Sequence, residues 1–237
     1  MELATAMVMA AGLGTRMRPL TDTLPKPLVE VAGRPLIDHV LGRLRAAGIR
    51  RVVINVHYRA DQLETHLRGV GERLEIAVSD ERERLLETGG GLVHARPLLG
   101  DAPVLVVNAD NLWLNGAQDS LRRLGGQWRD DAMDALLLLV PREAAHNHHG
   151  PGDFALDEAG RLVRRATGGE APFVYSGIQI VSPRLLDGWR AEPFSTNLMW
   201  DRAIAVGRAF GAIHDGEWFD VGTPQAIPAT EALLRHG

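Results

Sequence analysis

Gly12 and Gly14 lie just behind the first apolar stretch of the chain, and Thr15, Arg16 and Lys26 follow them. Glycines at that spacing let backbone N–H groups close on phosphate oxygens. A hydroxyl and two cations add the charge that a triphosphate needs. The glycine pair alone also fits an ordinary turn beside solvated basic residues. Two familiar phosphate loops do not fit. A dinucleotide fingerprint needs a third glycine where Met17 stands, and a P-loop needs Gly-Lys-Ser/Thr, whereas neither glycine precedes a lysine. Lys26 is the only lysine among 26 basic residues, and it sits between Pro25 and Pro27 in this same loop.

Two acids stand at the ends of apolar runs. Val104–Asn108 reads as a buried strand that continues into Ala109-Asp110, and ligands of open α/β sheets sit beyond the carboxyl ends of strands. An Asp there suits Mg²⁺, a hard cation that takes carboxylate and phosphate oxygens; a turn or helix N-cap is the plain alternative. Asp220, in Trp218-Phe219-Asp220-Val221-Gly222-Thr223-Pro224, has apolar neighbours that would bury it, and a buried carboxylate needs a partner or a metal. It could instead cap the last helix, although Thr223 before Pro224 already offers a cap there. Gly89 and Gly90 permit close backbone approach to a flat base or ribose, or a flexible helix start. His146, His148 and His149 read as a solvated loop, because no acid stands at ligating spacing on a regular element. Trp189, Trp200 and Trp218 read as core, and Asp130-Asp131 as a helix-end loop.

The elements that must position these groups alternate. Strands are expected over Thr5–Ala10, Arg51–Val56, Leu74–Val78, Val104–Asn108 and Asp134–Val140. Helices are expected over Leu36–Ala47, Ala60–Leu67, Gly90–Leu99 and Asp119–Trp128. This β-α-β rhythm of short apolar strands implies a mostly parallel sheet covered on both faces, with right-handed crossovers. Beyond it, Phe154–Leu156 and Leu162–Arg165 suggest a hairpin, and Phe173–Val181 a long strand. Pro183–Trp189, Thr196–Gly207 and Pro224–Arg235 are expected as helices, and Ala209–Ile213 with Glu217–Asp220 as a strand pair around Asp215-Gly216.

Composition narrows the class. The chain has 237 residues, enough for one large domain, and a net charge of −4, which gives no basic field for nucleic acid. Cysteine is absent, which removes disulfides, thiolate metal sites and cysteine nucleophiles together. No apolar run approaches a membrane span and no basic n-region opens the sequence, so a soluble cytoplasmic protein is expected.

The full string Gly12-Leu13-Gly14-Thr15-Arg16-Met17-Arg18-Pro19-Leu20-Thr21 followed by Pro25-Lys26-Pro27 resembles the signature of the sugar-1-phosphate nucleotidyltransferases, at every position of that signature. The resemblance runs from Met9 to about Pro224. It implies a Rossmann-like α/β fold, with a mostly parallel central sheet, helices on both faces and a smaller mixed α+β lobe that binds sugar. One domain is expected, with residues 1–112 as the nucleotide half and 113–237 as the sugar half. It implies that Ala10, Ala11, Gly12, Gly14 and Thr15 wrap a nucleoside triphosphate whose phosphates Arg16 and Lys26 hold as catalytic groups, and that Thr88, Gly89 and Gly90 meet base and ribose. It implies sugar contacts at Asn108, Gly152, Asp153, Glu170, Ser176 and Gly177, and Mg²⁺ on Asp110 and Asp220. Ala109 departs from the glycine usual in the family. The lysine that larger members direct at the sugar phosphate is missing from Thr167-Gly168-Gly169-Glu170, with Arg164 or Arg165 as possible replacements. The closest resemblance is to short bacterial members that use UTP in cell-wall recycling, and guanylyl-transferring members share much of the pattern. The implied partners are a nucleoside triphosphate and a sugar 1-phosphate, with no nucleic acid and no membrane. A non-catalytic sensor on the same fold would lack the acids, and a glycosyltransferase would normally carry an Asp-x-Asp that Asp110-Asn111-Leu112 does not supply.

Overall fold

The computed structural model describes residues 3–70 and 74–235. The first apolar run forms β1 (Thr5–Met9), and beyond the glycine loop β2 (Glu30–Val31) and β3 (Arg34–Pro35) make a small two-stranded sheet. Helix α1 (Leu36–Ala46) buries Leu36, Ile37, Val40, Leu41 and Leu44, the face that a 3.6-residue period dictates, and stops before Gly48 at φ +95°. Then follow β4 (Arg51–Val56), α2 (Ala60–Val70), β5 (Glu75–Asp80), α3 (Glu87–Leu99) and β6 (Val104–Asn108). These strands lie parallel in the order β6-β1-β4-β5. Their carboxyl ends therefore share one edge, and the loops carrying Gly12, Glu81 and Asp110 open there.

The second half reuses that sheet. After β7 (Leu112–Trp113) comes α4 (Ser120–Gln127), capped by Asp119, whose carboxylate accepts the Leu121 and Arg122 N–H groups. The chain continues through β8 (Ala135–Pro141), β9 (Ala145–His146), β10 (Phe154–Leu156), β11 (Leu162–Arg164) and β12 (Phe173–Val181). It closes with α5 (Thr196–Ala205), β13 (Ala209–Ile213), β14 (Trp218–Phe219) and α6 (Ala226–Leu234). Strand β12 runs antiparallel between β6 and β8, so one nine-stranded sheet passes through both halves. The expected α/β architecture is present, with four adjacent parallel strands in the first half.

Three expectations differ. Ala209–Ile213 and residues 217–220 do not pair with each other. β13 joins β8 in parallel, while β14 lies between β7 and β9 in a separate three-stranded sheet. The continuous leucines of β8 can be covered on both edges only if β13 takes the free one. Pro183–Leu186 is one short 3-10 turn rather than a helix. Finally, α6 begins without a side-chain cap; Thr223 offers only its carbonyl, to the Ala226 N–H.

The turn between β13 and β14 is held by His214, which is buried and bonds the Glu217 carbonyl at 3.2 Å and the Ser120 hydroxyl at 3.4 Å. Burial holds its imidazole below the ordinary value of 6.5. The unfolded chain therefore takes up this proton first as pH falls. The stability it contributes is complete above 6.5 and is lost on going lower. Thermal unfolding followed from roughly pH 7 to pH 5 is expected to show a falling Tm, with a shallower fall in His214→Gln.

Candidate active site

The loop after β1 is shaped largely by its own contacts. The Ala10 N–H donates to Asn55 Oδ1 at 2.6 Å, so this amide faces the sheet. Gly14 sits at φ +64° with a missing Cβ that would lie 3.0 Å from Thr21 Cγ2 and 3.1 Å from Lys26 Cβ. The Thr21 hydroxyl donates to the Gly14 carbonyl at 2.8 Å. Gly14 thus folds the loop back onto Lys26, whereas nothing lies within 4 Å of a Cβ on Gly12. Thr15 opens a short 3-10 turn and is exposed.

A cavity of about 440 Å³ opens over this loop, lined by Ala10, Ala11, Gly12, Lys26, Asp110 and Thr88 among others. Lys26 stands in a tight turn between two prolines, and its ammonium pairs with the Asp110 carboxylate. A second cavity of about 290 Å³ adjoins it at Asp110 and Asn108 and is lined by Arg16, Asp220, His148, Ser176 and Gly177. Asp110 and Asp220 therefore face one space, although 110 positions separate them in the chain. Gly222 keeps that space open: a Cβ there would meet Asp220 Oδ1 at 2.7 Å and Arg16 Nη1 at 3.1 Å. A third cavity of about 240 Å³ shares Asn108, Asp153 and Tyr175 with the second and Thr88 and Ser195 with the first.

The donor set fits Mg²⁺. Two carboxylates facing one cavity are what this ion takes when substrate phosphates complete its octahedron. Among the described residues no cluster of three or more acids and imidazoles makes an all-protein cage. Lys26 borders the first space and Arg16 the second, so anionic oxygens in either would meet a fixed cation as well.

Several expected contacts fall elsewhere. The Gly89 and Gly90 N–H groups donate to the Phe194 carbonyl at 2.8 and 3.2 Å. A Cβ on Gly89 would strike the Phe194 ring, and one on Gly90 the Glu192 carbonyl. These glycines seat α3 against the 192–194 segment, and neither borders the three cavities described; Thr88 does. Glu170 is exposed and pairs with Arg142 at 2.8 Å. Gly152 is buried at φ +80° against the Ala171 carbonyl. Neither borders the three spaces, whereas Asn108, Asp153, Ser176 and Gly177 do. A Cβ on Gly177 would lie 2.7 Å from both the Asn108 and Asn111 amide nitrogens.

The histidine loop is not solvated in the way its composition suggests. β9 pairs with β14, which brings His146 onto Glu217 and stacks it on Phe219 at 4.9 Å. His148 Nδ1 stands 3.7 Å from Asp220 Oδ2. Trp200 and Trp218 are buried yet border the third and second cavities. Two further groups were hidden in the sequence. Asn55 donates to the buried carboxylate of Glu81 at 2.7 Å, and Glu81 also accepts the Leu86 N–H at 3.0 Å. Asn55 announces itself as a polar residue inside an apolar strand. Glu81 lies in the charged run 80–84 and gives no such signal.

Residues 5–150 match the family model described as nucleotidyl transferase. The chain is 47% identical over 233 residues to an N-acetylmuramate alpha-1-phosphate uridylyltransferase of Caulobacter vibrioides, covering 97% of this chain and 96% of that protein. It is 38% identical to the protein of the same name from Neisseria meningitidis serogroup B, covering 96% and 97%. Among solved structures it superposes on a UDP-glucose pyrophosphorylase complexed with UDP-glucose with a TM-score of 0.79 at 18% identity, covering 99% of this chain and all of that one.

The two kinds of glycine should separate in a stability measurement. Gly90→Ala is expected to lower the urea unfolding free energy by about 1–3 kcal/mol, because the Glu192 backbone must move. Gly12→Ala should stay within about 0.5 kcal/mol of the unsubstituted protein, because its Cβ enters open space.

Proposed function

This chain belongs to the nucleotidyl transferase family, and from that premise we propose that it joins UTP to N-acetylmuramate α-1-phosphate, giving the UDP-sugar and pyrophosphate. The observation that carries the reading is the meeting of Lys26 and Asp110 where the two cavities join, with Arg16 and Asp220 around the second. A nucleotide in the first space and a sugar phosphate in the second would bring their phosphates together at that point. The names of the two relatives support the choice of base and sugar. On this reading residues 1–112 serve the nucleotide and 113–237 mainly the sugar, with Ser195 reaching back to the nucleotide cavity. A cytoplasmic role in recycling cell-wall sugars goes with it.

A sugar-phosphate oxygen forms the new bond to the α-phosphorus, the bond to the bridging oxygen breaks, and the electron pair leaves with pyrophosphate. The nucleophile is already ionised at neutral pH, so no general base is needed, and catalysis rests on positioning and charge. Lys26 borders the nucleotide space and meets the charge that develops on the leaving group, while Arg16 borders the second space and faces the sugar phosphate. Gly12 offers its backbone to the phosphates, and Thr88 borders the ribose. Asp110 and Asp220 would hold Mg²⁺, which when bound supplies charge neutralisation between the two phosphates.

Pyrophosphate release is the direct test. UTP, GTP, CTP and ATP, each mixed with the 1-phosphates of N-acetylmuramate, N-acetylglucosamine, mannose and glucose, are expected to give the highest kcat/KM for UTP with muramate. No release from any pair would leave a sensor, and sugar transfer without release a glycosyltransferase. Lys26→Ala is expected to lower kcat by at least ~10²-fold, since a charge aimed at the developing anion is removed. Asp110→Asn should abolish the response to added Mg²⁺; an unchanged Mg²⁺ response would remove the metal assignment.

A further inference from the structure

The third cavity has no part in the phosphate chemistry, yet it carries a fixed cation. Its lining includes Arg164, Asn197, Trp200, Tyr175 and Asp153, and excludes Lys26, Arg16, Asp110 and Asp220. Among the residues lining it, Arg164 is the sole cationic side chain. The guanidinium is held from several sides. Nε donates to Asp201 Oδ1 at 2.7 Å, Nη1 to Asn197 Oδ1 at 2.9 Å and Nη2 to the Asn197 carbonyl at 2.9 Å. Its plane stands over Phe154, 4.9 Å from the ring centroid, and 5.7 Å from that of Trp200. These bonds use three of the five N–H donors of an arginine and leave one on each terminal nitrogen. Arg165, next along the chain, is different: it donates to the Gly152 and Gly169 carbonyls and borders none of the three cavities.

A cation held rigid on a cavity wall matches an anion that arrives with the substrate. The phosphates already have Lys26, Arg16 and the two acids, in the other spaces. Arg164 is already ion-paired with Asp201 through Nε, and its remaining terminal N–H groups can take a second anion, on the sugar itself, at a distance from its 1-phosphate. A planar guanidinium offering one hydrogen from each terminal nitrogen suits a carboxylate. The aromatic walls of Phe154, Tyr175 and Trp200 suit the apolar carbon that links such a carboxylate to a ring. Burial keeps the Tyr175 phenol protonated well above its usual range, and the carboxylate that lines the cavity, Asp153, is engaged by the Tyr175 N–H at 2.8 Å.

We infer that the cavity lined by Arg164, Asn197 and Trp200 is a subsite for a carboxylate on the sugar, and that Arg164 makes the enzyme select acidic sugar 1-phosphates. The inference rests on the proposed function, since N-acetylmuramate carries such a group on its lactyl ether and N-acetylglucosamine does not.

The test compares N-acetylmuramate α-1-phosphate, its lactyl methyl ester and N-acetylglucosamine 1-phosphate, each with UTP, in the unsubstituted protein and in Arg164→Gln. The unsubstituted protein is expected to favour acid over ester by on the order of 10- to 100-fold in kcat/KM, the worth of a charge-assisted hydrogen bond. The same acid-to-ester ratio in Arg164→Gln should collapse to about one, mostly through KM. An unsubstituted protein that uses acid and ester equally well would overturn the inference without any variant, and would leave the proposed reaction standing. A variant that keeps the full ratio would do the same. Rejection of both muramate forms would overturn the proposed substrate and the subsite together.

Discussion

Lys26 and Asp110 come from loops 84 positions apart and meet where the glycine loop crosses the end of β6. Lys26 is largely shielded, at 13% exposed, and Asp110 is half-buried, at 32%. A shielded ammonium without a partner would be expelled or neutralised. The pair therefore fixes the loop against the sheet, and with it the floor of the first cavity. Such a pair is weak as a stabilising device, because desolvating two charges offsets much of their attraction. Its position at the wall of an open cavity is the more telling feature, since both charges border that space. The two prolines around Lys26 restrict its backbone, so the ammonium is delivered to one place.

The fold was legible because its signals are local and redundant. β1, β4 and β6 are short apolar runs, and α1 shows the helical spacing of Leu36, Val40 and Leu44 directly. Asp110 and Asp220 could be picked out because each closes an apolar strand, where a carboxylate has few structural uses. Their shared cavity could not be read from spacing. It depends on β14 lying between β7 and β9 in a sheet of their own.

Glycines and cations were harder to read, for related reasons. A glycine marks a place where something comes close, but not whether that something is a ligand or the chain itself. Gly89 and Gly90 admit the 192–194 segment, Gly14 admits Thr21 and Lys26, and Gly12 alone among these leaves open space. Arginine is so frequent here that no single one stands out. Arg164 differs from Arg165 only through strand parity, which turns one side chain toward Asn197 and the cavity and its neighbour toward backbone carbonyls. The histidines deceived in the opposite sense. Polar composition suggests solvent, whereas a two-residue strand places His146 on Phe219.

The Glu81 network shows how a hidden charge can set geometry at a distance. A carboxylate only accepts hydrogen bonds, so Asn55 must turn its NH₂ toward Glu81 and its oxygen toward the Ala10 N–H. The other carboxylate oxygen takes the Leu86 N–H, at the entrance to the segment that brings Thr88 to the cavity. One buried charge thus orients both the start of the glycine loop and the start of α3. Gly91 makes this possible, because a Cβ there would lie 2.7 Å from Glu81 Oε1. An uncharged amide in place of Glu81 would have to offer one N–H where two acceptor sites are needed. Either Asn55 would flip and leave Ala10 unpaired, or Leu86 would lose its partner. The glycine loop and the Thr88 segment are in this way linked through one buried group.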